Sequence, residues 1–367
     1  MRLSLRGLDR VVLGALLCFG YACGDVGDSP NPRRSTRSDD ISAAGEGASG
    51  TNDGTSNNAA PAAGTGTVAS RHPGDVGIDT DPAVVFAENF EAPDVATIQS
   101  HFNSTTYLLN GDLMHQSADV PAKSSGKKSF TMDTLDGRQS TAIYKLLKDD
   151  YEELYLRFYV KYPAGKRWHH TGVWFGGYAP RIPYASPHAG EQPTGDDRFS
   201  ISFEPMDTVP GAYPNPRLDL YMYWKNMKAG GDNMFWGNIT INKKNIQTDD
   251  DQWMCIEEHI KVNSDLASRT GAQLDVWKND ELVQHFDDSS PKGYLVGGFF
   301  CPEGSDSATC VTYKPQNPTL APLDLRWRTT ENLKINYIWP QNDTIGASTL
   351  YFDDIVVATS RIGCLVK

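Results

Sequence analysis

The sequence has no G-x-x-x-x-G-K-[ST] loop, no G-x-S-x-G elbow and no H-E-x-x-H pair. Those absences set aside P-loop nucleotide chemistry, the hydrolase nucleophile elbow and zincin chemistry. No C-x-x-C spacing occurs either, which weakens a structural zinc reading. Positive charge is scarce: the net charge is −12, and residues 1–80 hold seven Lys/Arg against nine Asp/Glu, so the remainder carries −10. A nucleic-acid partner needs a cationic footprint and is not expected. A polyanionic substrate would require a local cationic cleft that overrides the overall field. Residues 24–80 contain no Phe, Trp, Tyr or Leu, so they have nothing with which to build a core. No long helical period and no internal repeat appear.

What is present begins with an export signal. Arg2, Arg6 and Arg10 precede the apolar run from Val11 to Gly20, which is too short to span a bilayer and has a signal-peptide layout. Gly20-Tyr21-Ala22-Cys23-Gly24 resembles a relaxed bacterial lipobox, with Gly20 where Leu is usual. Residues 1–22 are therefore expected to be removed as a signal peptide. Cys23 is expected to carry a lipid that holds the chain at the outer membrane or cell surface; cleavage by an ordinary signal peptidase would release a secreted form. Residues 23–80, rich in Gly, Ser, Thr, Ala, Asn, Pro and Asp, read as a flexible linker. At the roughly 5–6 Å × √n scaling of such chains, the linker reaches tens of Å. Beyond the leader, Cys255, Cys301, Cys310 and Cys364 make an even number, in keeping with an oxidising compartment. Three pairings are open. Cys301–Cys310, closing a short Gly/Ser/Asp loop, and Cys255–Cys364, pinning the C-terminus to a central strand, are the favoured pair.

From residue 81 to 367 the pattern is strand after strand. Leu154–Lys161, Phe199–Glu204, Arg217–Lys225, Leu333–Trp339 and Leu350–Val357 all alternate with a period of two. Gln273–Trp277 and Glu281–Val283 flank the turn residues Lys278-Asn279-Asp280 and predict a hairpin. The stretch Trp253–Asn263 divides into an apolar face (Met254, Ile256, Ile260, Val262, interrupted by Glu258) and a polar one (Trp253, Cys255, Glu257, His259, Lys261). It reads as a strand with one buried face and one working face. A single all-β domain, an antiparallel two-sheet sandwich, is the expected architecture, and a monomer the expected state.

The order of these segments resembles the concanavalin A-like jelly roll, in its polysaccharide-lyase-like branch of bacterial secreted proteins. The residues that carry the resemblance include Phe86-Ala87-Glu88-Asn89-Phe90-Glu91, Ser125-Gly126-Lys127-Lys128-Ser129-Phe130, Tyr155–Val160 and Leu218–Tyr223. Trp253–Asn263, Val276–Val283 and Leu350–Thr359 complete it. It spans roughly residues 84–364, and the fold it implies serves lyases, hydrolases and lectins alike. Pro-rich insertions at Arg181–Asp197 and Val209–Pro216 depart from it and are expected to wall or cap the concave face.

Within that fold the expected site is the polar face of the concave sheet. Arg217, Asp219, Tyr221, Tyr223 and Lys225 share one side of their strand. Glu257, His259 and Lys261 are placed beside them, with Arg157 and Tyr159 from an earlier strand. The mixture suits a polysaccharide, rings for stacking on sugars and cations for uronate carboxylates. It also suits β-elimination. Arg217 or Lys261 would neutralise the uronate carboxylate, His259 would take the proton, and Tyr221 or Tyr223 would protonate the leaving oxygen. The remaining contacts to substrate are expected from Arg157, Tyr159, Asp219, Lys225 and Glu257, with His170 at the rim. The alternatives are a non-catalytic carbohydrate-binding or adhesion module on the same face, and a solvated sheet face laced with cross-strand ion pairs. Hydrolysis ranks lower; it needs two carboxylates about 5–9 Å apart, such as Glu257 with Asp219. His169 and His170, if in a strand, point to opposite faces, and Trp174 is assigned a structural role. Because jelly rolls pair their terminal strands, Glu88 or Glu91 could meet Asp353 or Asp354. The resemblance then implies a structural Ca²⁺, the alternative being exposed carboxylates at strand ends.

Overall fold

The computed structural model describes residues 66–105, 113–136, 140–186, 188–206, 215–344 and 346–367. The leader, Cys23 and residues 24–65 lie outside them. Among the described residues eighteen strands follow in chain order: β1 (Val84–Glu88), β2 (Met114–Ser117), β3 (Ser129–Thr134), β4 (Thr141–Ala142), β5 (Lys145–Tyr151), β6 (Glu153–Lys161), β7 (Thr171–Tyr178), β8 (Arg198–Pro205) and β9 (Leu218–Tyr223). Then come β10 (Asn238–Ile239), β11 (Trp253–Lys261), β12 (Gln273–Lys278), β13 (Glu281–Phe286), β14 (Lys292–Val296), β15 (Phe299–Pro302), β16 (Ala321–Pro322), β17 (Ile335–Asn342) and β18 (Ser348–Ala358). Three short helices, α1 (Val68–Arg71), α2 (Val95–Ser100) and α3 (Ala308–Thr312), lie outside the sheets.

The strands form a two-sheet jelly-roll sandwich. One sheet has eight strands in the order β13-β12-β11-β6-β18-β3-β2, with β1 on the second half of β18. The other has ten, in the order β16-β14-β15-β10-β9-β8-β7-β17-β4, with β5 also on β17. Pairing is antiparallel apart from a single parallel contact between β10 and β15. The alternation seen in the sequence decides what lies between the sheets. Leu154, Leu156, Phe158 and Val160 of β6, with Met254, Ile256 and Ile260 of β11, face Phe175, Ile201, Phe203, Leu220 and Met222 of the second sheet. Each of those side chains, fully removed from water, contributes about 1.5–3 kcal/mol. The β12–β13 hairpin turns on Asn279 and Asp280, both with positive φ (53° and 69°), as a two-residue turn that follows the strand twist requires.

The linker expected through residue 80 ends earlier in the structure. Residues 67–80, which hold α1, lie against the outer face of the eight-stranded sheet. Val68 and Ala69 donate N–H groups to the carbonyls of Arg361 and Ile362, and Gly74 donates to Val366. Val68 and Ile78 pack on Val356, Ala358 and Ile362. The composition gave no hint of this, because the segment is fastened by backbone hydrogen bonds and two aliphatic side chains rather than by aromatics.

Both favoured disulfides are present, Cys255–Cys364 and Cys301–Cys310. The first closes a span of 109 residues and fixes the C-terminal segment that holds residues 67–74. Replacing Cys255 and Cys364 by Ala is expected to lower stability by about 2–5 kcal/mol, read as a fall in the urea midpoint. An unchanged midpoint would show that the segment is held by its other contacts alone.

Candidate functional site

β6 and β11 pair as expected, with Glu257 opposite Arg157 and Cys255 opposite Tyr159, but β9 belongs to the other sheet. On each of these strands the alternate residues fill the core. The polar sets of β9 and β11 therefore lie on opposite outer faces of the sandwich, and His259 and Lys261 do not share a site with Tyr221, Tyr223 or Arg217. The same separation removes the Glu257–Asp219 carboxylate pair that hydrolysis would need.

The outer face of the eight-stranded sheet is closed rather than working. Glu257 is buried, and its two oxygens accept the N–H groups of Ile362 (2.6 Å) and Gly363 (3.0 Å). Burial pushes its carboxyl above the usual range. The Tyr159 hydroxyl accepts the N–H of Leu365 at 2.8 Å. Arg157 is fully buried and pairs with Asp75. His259 is 2% exposed and stacks on Tyr155 with centroids 4.1 Å apart. Its Nδ1 lies 2.7 Å from Asp275 and its Nε2 3.1 Å from Glu153, which also holds Lys261 at 3.2 Å. Asp275 also contacts His285, which reaches Asp287. Burial opposes charge on the His259 ring, yet its hydrogen bonds to Asp275 and Glu153 outweigh it and raise its pKa. Both nitrogens are occupied by carboxylates, so His259 is a structural cation and not a base.

The acidic group has a different counter-ion from the one expected. Glu88 is engaged by His101 (2.5 Å) and by the Phe90 N–H (2.8 Å). Glu91 accepts the N–H groups of Lys127 and Lys128, both at 2.6 Å. A bulge in β18 interrupts its pairing with β6 between Asp353 and Val356, and Asp354 takes a positive φ of 44°. Asp353 and Asp354 are both buried, and burial raises both carboxyls, with Asp354 adding to the rise at Asp353 and Asp75 and Glu91 to that at Asp354. The Arg157 guanidinium, which pairs with Asp75 from the segment read as linker, offsets part of that rise, while Asp75 itself adds to it. Among the described residues no three His, Cys, Asp or Glu side chains form a metal-ligand set. Of the residues expected to hold calcium, Glu88 is engaged by His101 and the Phe90 N–H, and Asp353 and Asp354 lie beside Arg157. Asp75 fell in the segment read as linker and Arg157 was expected to contact substrate, because their pairing depends on residues 67–80 folding back.

The outer face of the ten-stranded sheet gathers the other half of the expected residues and some that were not expected. Opposite-residue pairing places Trp339 beside Trp174, and Ser202 beside Tyr221, with Ser200 beside Tyr223 and Glu204 beside Asp219. Trp174 lies 6.2 Å from Trp339 and from Tyr223 and 5.9 Å from Tyr221, between ring centroids. The assigned structural role for Trp174 gives way to a place in an aromatic lining. Trp174, Trp339 and Tyr223 are buried and Tyr221 is half-buried. The Tyr221 and Tyr223 hydroxyls are 3.5 Å apart. Burial, with Tyr223 alongside, pushes the Tyr221 phenol well above its ordinary pKa, so it is an acid that keeps its proton at neutral pH. Gly237 closes over that ring: a Cβ there would come within 2.4 Å of it.

His170 moves from the rim to the centre. It precedes β7 with φ 48°, a left-handed conformation uncommon for a non-glycine residue. That kink brings the His169 and His170 rings to 3.9 Å instead of to opposite faces. His170 Nδ1 lies 3.0 Å from Glu204 Oε1, and its ring is 4.9 Å from that of Tyr221. Glu204 went unnoticed in the sequence although it is in phase with Ser200 and Ser202 on an alternating strand. The polar atoms Trp174 Nε1, Ser202 Oγ, Glu204 Oε2 and Gln341 Oε1 are buried on these strands without a partner.

Asp219 is not a substrate contact. It is fully buried and accepts the N–H groups of Leu220, Thr240, Ile241 and Asn242 at 2.7–3.1 Å, with Arg217 as its ion partner. It fixes the turn around β10. Lys225 bonds to the Thr194 carbonyl (3.3 Å) and braces the insertion Arg181–Asp197, whose Gly190 pairs with Phe235. The insertion therefore packs on the residues after β9. Residues 207–214 of the second insertion lie outside the described residues.

No protein-family model matches the chain, and no curated protein matches it. Solved structures similar to it include the alginate lyase Aly36B (12% identity, 76% of this chain and 98% of that one, TM-score 0.47). A variant of that lyase was solved in complex with an alginate trisaccharide. The marine PL-14 alginate lyase from Aplysia kurodai matches at 14% identity, over 76% of this chain and 99% of that one, with TM-score 0.46. The catalytic domain of a glycoside hydrolase family 131 protein from Coprinopsis cinerea matches at 10% identity, over 77% and 98%, with TM-score 0.35. At these identities and TM-scores the likeness adds nothing to the two-sheet sandwich seen in the strands themselves.

The structural role of His259 has a pH signature. A pKa raised in the fold means that the protonated ring stabilises fully below its unfolded value of about 6.5, and that this contribution is lost as pH rises through the folded value. His259→Gln is expected to cost on the order of 3–5 kcal/mol near pH 6, as when a buried pair loses one partner. It should cost distinctly less near about pH 9. Equal losses in urea midpoint at both values would refute the buried-cation assignment.

Proposed function

We propose that the outer face of the ten-stranded sheet binds a polysaccharide and cleaves a uronate-containing chain by β-elimination. The observation that carries the reading is the meeting of His170 and Tyr221, 4.9 Å between rings, with Glu204 behind the histidine and an aromatic lining around them. With Nδ1 turned to Glu204, Nε2 is the basic nitrogen of His170. It takes the proton next to the uronate carboxylate. The electron pair left behind forms the ring double bond, the bond to the glycosidic oxygen breaks, and Tyr221 or Tyr223 gives that oxygen its proton. The aromatic rings suit a sugar, whose ring faces stack on them.

The binding-only alternative draws on the same lining and on the net charge of −12, which favours a neutral glycan. In either case the domain acts outside the cell, lipid-anchored through Cys23 or secreted. The two disulfides accord with an oxidising compartment.

Purified protein incubated with alginate, pectate, glucuronan, heparin-like and neutral glycans decides between the two. Elimination is read as ultraviolet absorbance of the unsaturated uronate product. His170→Ala and Tyr221→Phe are each expected to lower the rate by about 10²–10⁴-fold, while His259→Ala, assayed well below its unfolding midpoint, leaves it unchanged. No product from any uronate, with one glycan retained in a pull-down and lost in Trp174→Ala, would replace the lyase by a lectin.

A further inference from the structure

The insertion Arg181–Asp197 holds a second group of reactive side chains, none of which the elimination chemistry uses. Ser186 Oγ lies 2.7 Å from His188 Nε2, and His188 Nδ1 lies 3.2 Å from Glu191 Oε2. A hydroxyl, an imidazole and a carboxylate thus stand in series. Because Nδ1 faces a group that only accepts, the ring proton is assigned to Nδ1, and Nε2 is left to accept from the serine. A serine nucleophile needs that order: the hydroxyl, its base, and a carboxylate that fixes the tautomer of the base. The loop is tied down around the series. The Tyr178 hydroxyl donates to the Ser186 carbonyl at 2.5 Å, and Gly190 exchanges two hydrogen bonds with Phe235, both 3.2 Å. Arg198 holds Glu191 by its carbonyl at 3.1 Å and by its carboxylate at 3.8 Å. Between these ties His188 takes a φ of 46°, a left-handed conformation that a non-glycine residue keeps only where its surroundings impose it. The His188 and Glu191 side chains are open to solvent, so a polymer can reach them. Ser186 also stands near the aromatic face. Tyr178, which holds its carbonyl, is in phase with Trp174 on β7, four residues or about 13 Å along the strand, and its ring is 4.9 Å from that of Tyr337.

We propose that Ser186, His188 and Glu191 form a second catalytic site, which hydrolyses a small acyl ester on a sugar hydroxyl of the bound glycan. The choice of a sugar ester rests on the reading of the ten-stranded face as a glycan site; the nucleophile itself does not. Ser186 Oγ attacks the ester carbonyl carbon as its proton passes to His188 Nε2. The tetrahedral adduct collapses, the bond from the carbonyl carbon to the sugar oxygen breaks, and that oxygen leaves with the proton from His188. Water, giving a proton to the same nitrogen, then attacks the acyl group on Ser186; the acid departs and the proton returns to Oγ. Glu191 keeps the ring oriented through both halves. No co-reactant other than water is needed. The product is a glycan with a free hydroxyl, which the neighbouring site then receives without the acyl substituent.

The test treats the purified full-length protein with a fluorophosphonate probe, which labels an activated serine, and locates the label by peptide mass spectrometry. Hydrolysis of p-nitrophenyl acetate and acetate release from O-acetylated alginate and xylan are followed in parallel. The label is expected on Ser186, lost in Ser186→Ala and strongly reduced in His188→Ala. His188→Ala should lower ester turnover by about 10²–10⁴-fold, and Glu191→Gln by less, since the carboxylate is the smallest contributor to such a series. Ser289→Ala, which removes a serine bonded to Asp287 instead of to an imidazole, should change neither readout. Urea midpoints of the variants separate loss of the group from loss of the fold. No label at Ser186, or equal ester turnover in the wild type and Ser186→Ala, would overturn the proposal. Turnover of p-nitrophenyl acetate with no acetate released from either glycan would overturn the sugar ester as substrate. Failure of the elimination reading shows separately, as absent unsaturated product, and leaves the label and the small-ester assay to decide the role of Ser186.

Discussion

The structure depends on two adjacent carboxylates, Glu257 and Glu258, that a period of two turns in opposite directions. Glu257 reaches outward and takes two N–H groups of the C-terminal segment. Glu258 reaches inward, across the core, and takes an N–H of β8 in the other sheet. One dipeptide of β11 therefore ties together the C-terminal segment and the two sheets. Each carboxyl is desolvated, and each is accepted because it satisfies a backbone donor that the regular ladders leave over. The outer tie closes one face of the sandwich against residues 67–80 and 361–366. The other face is left as the one on which chemistry can be arranged.

That division explains what the sequence made legible and what it did not. Alternation located the strands, the β12–β13 hairpin and the core residues of β6, β9 and β11, because each depends only on neighbours along the chain. It could not assign a strand to a sheet. Arg217–Lys225 and Trp253–Lys261 show the same alternation of apolar and polar residues, and nothing local says that their polar sides face away from each other across the core. The grouping of His259 with Tyr221 failed on that point alone. Asp219 and Arg157 looked like site residues because they are charged and in phase with aromatics, yet both are buried partners of distant backbone or side chains. His170 was underrated for the opposite reason: a left-handed residue breaks the strand rule by which His169 and His170 were separated.

The two faces also show how an acidic chain handles buried charge. On the eight-stranded sheet the histidines are cations among carboxylates: His259 lies between Asp275 and Glu153, and His285 between Asp275 and Asp287. On the ten-stranded sheet His170 has Glu204 on Nδ1 and the rings of Trp174 and Tyr221 nearby. The same side chain is a structural cation in one setting and a candidate base in the other, and its surroundings make the difference.

The attachment of residues 67–74 carries a mechanical consequence. Whatever precedes residue 66 pulls first on Val68, Ala69 and Gly74, whose N–H groups are held by Arg361, Ile362 and Val366. That segment is joined covalently to β11 through Cys364 and Cys255. A pulling force is thus delivered to the middle of the eight-stranded sheet through a cross-linked seam, and it bypasses the strands that carry His170 and Tyr221. Strain on the attachment would be absorbed on one side of the sandwich while the geometry of the other stayed undisturbed.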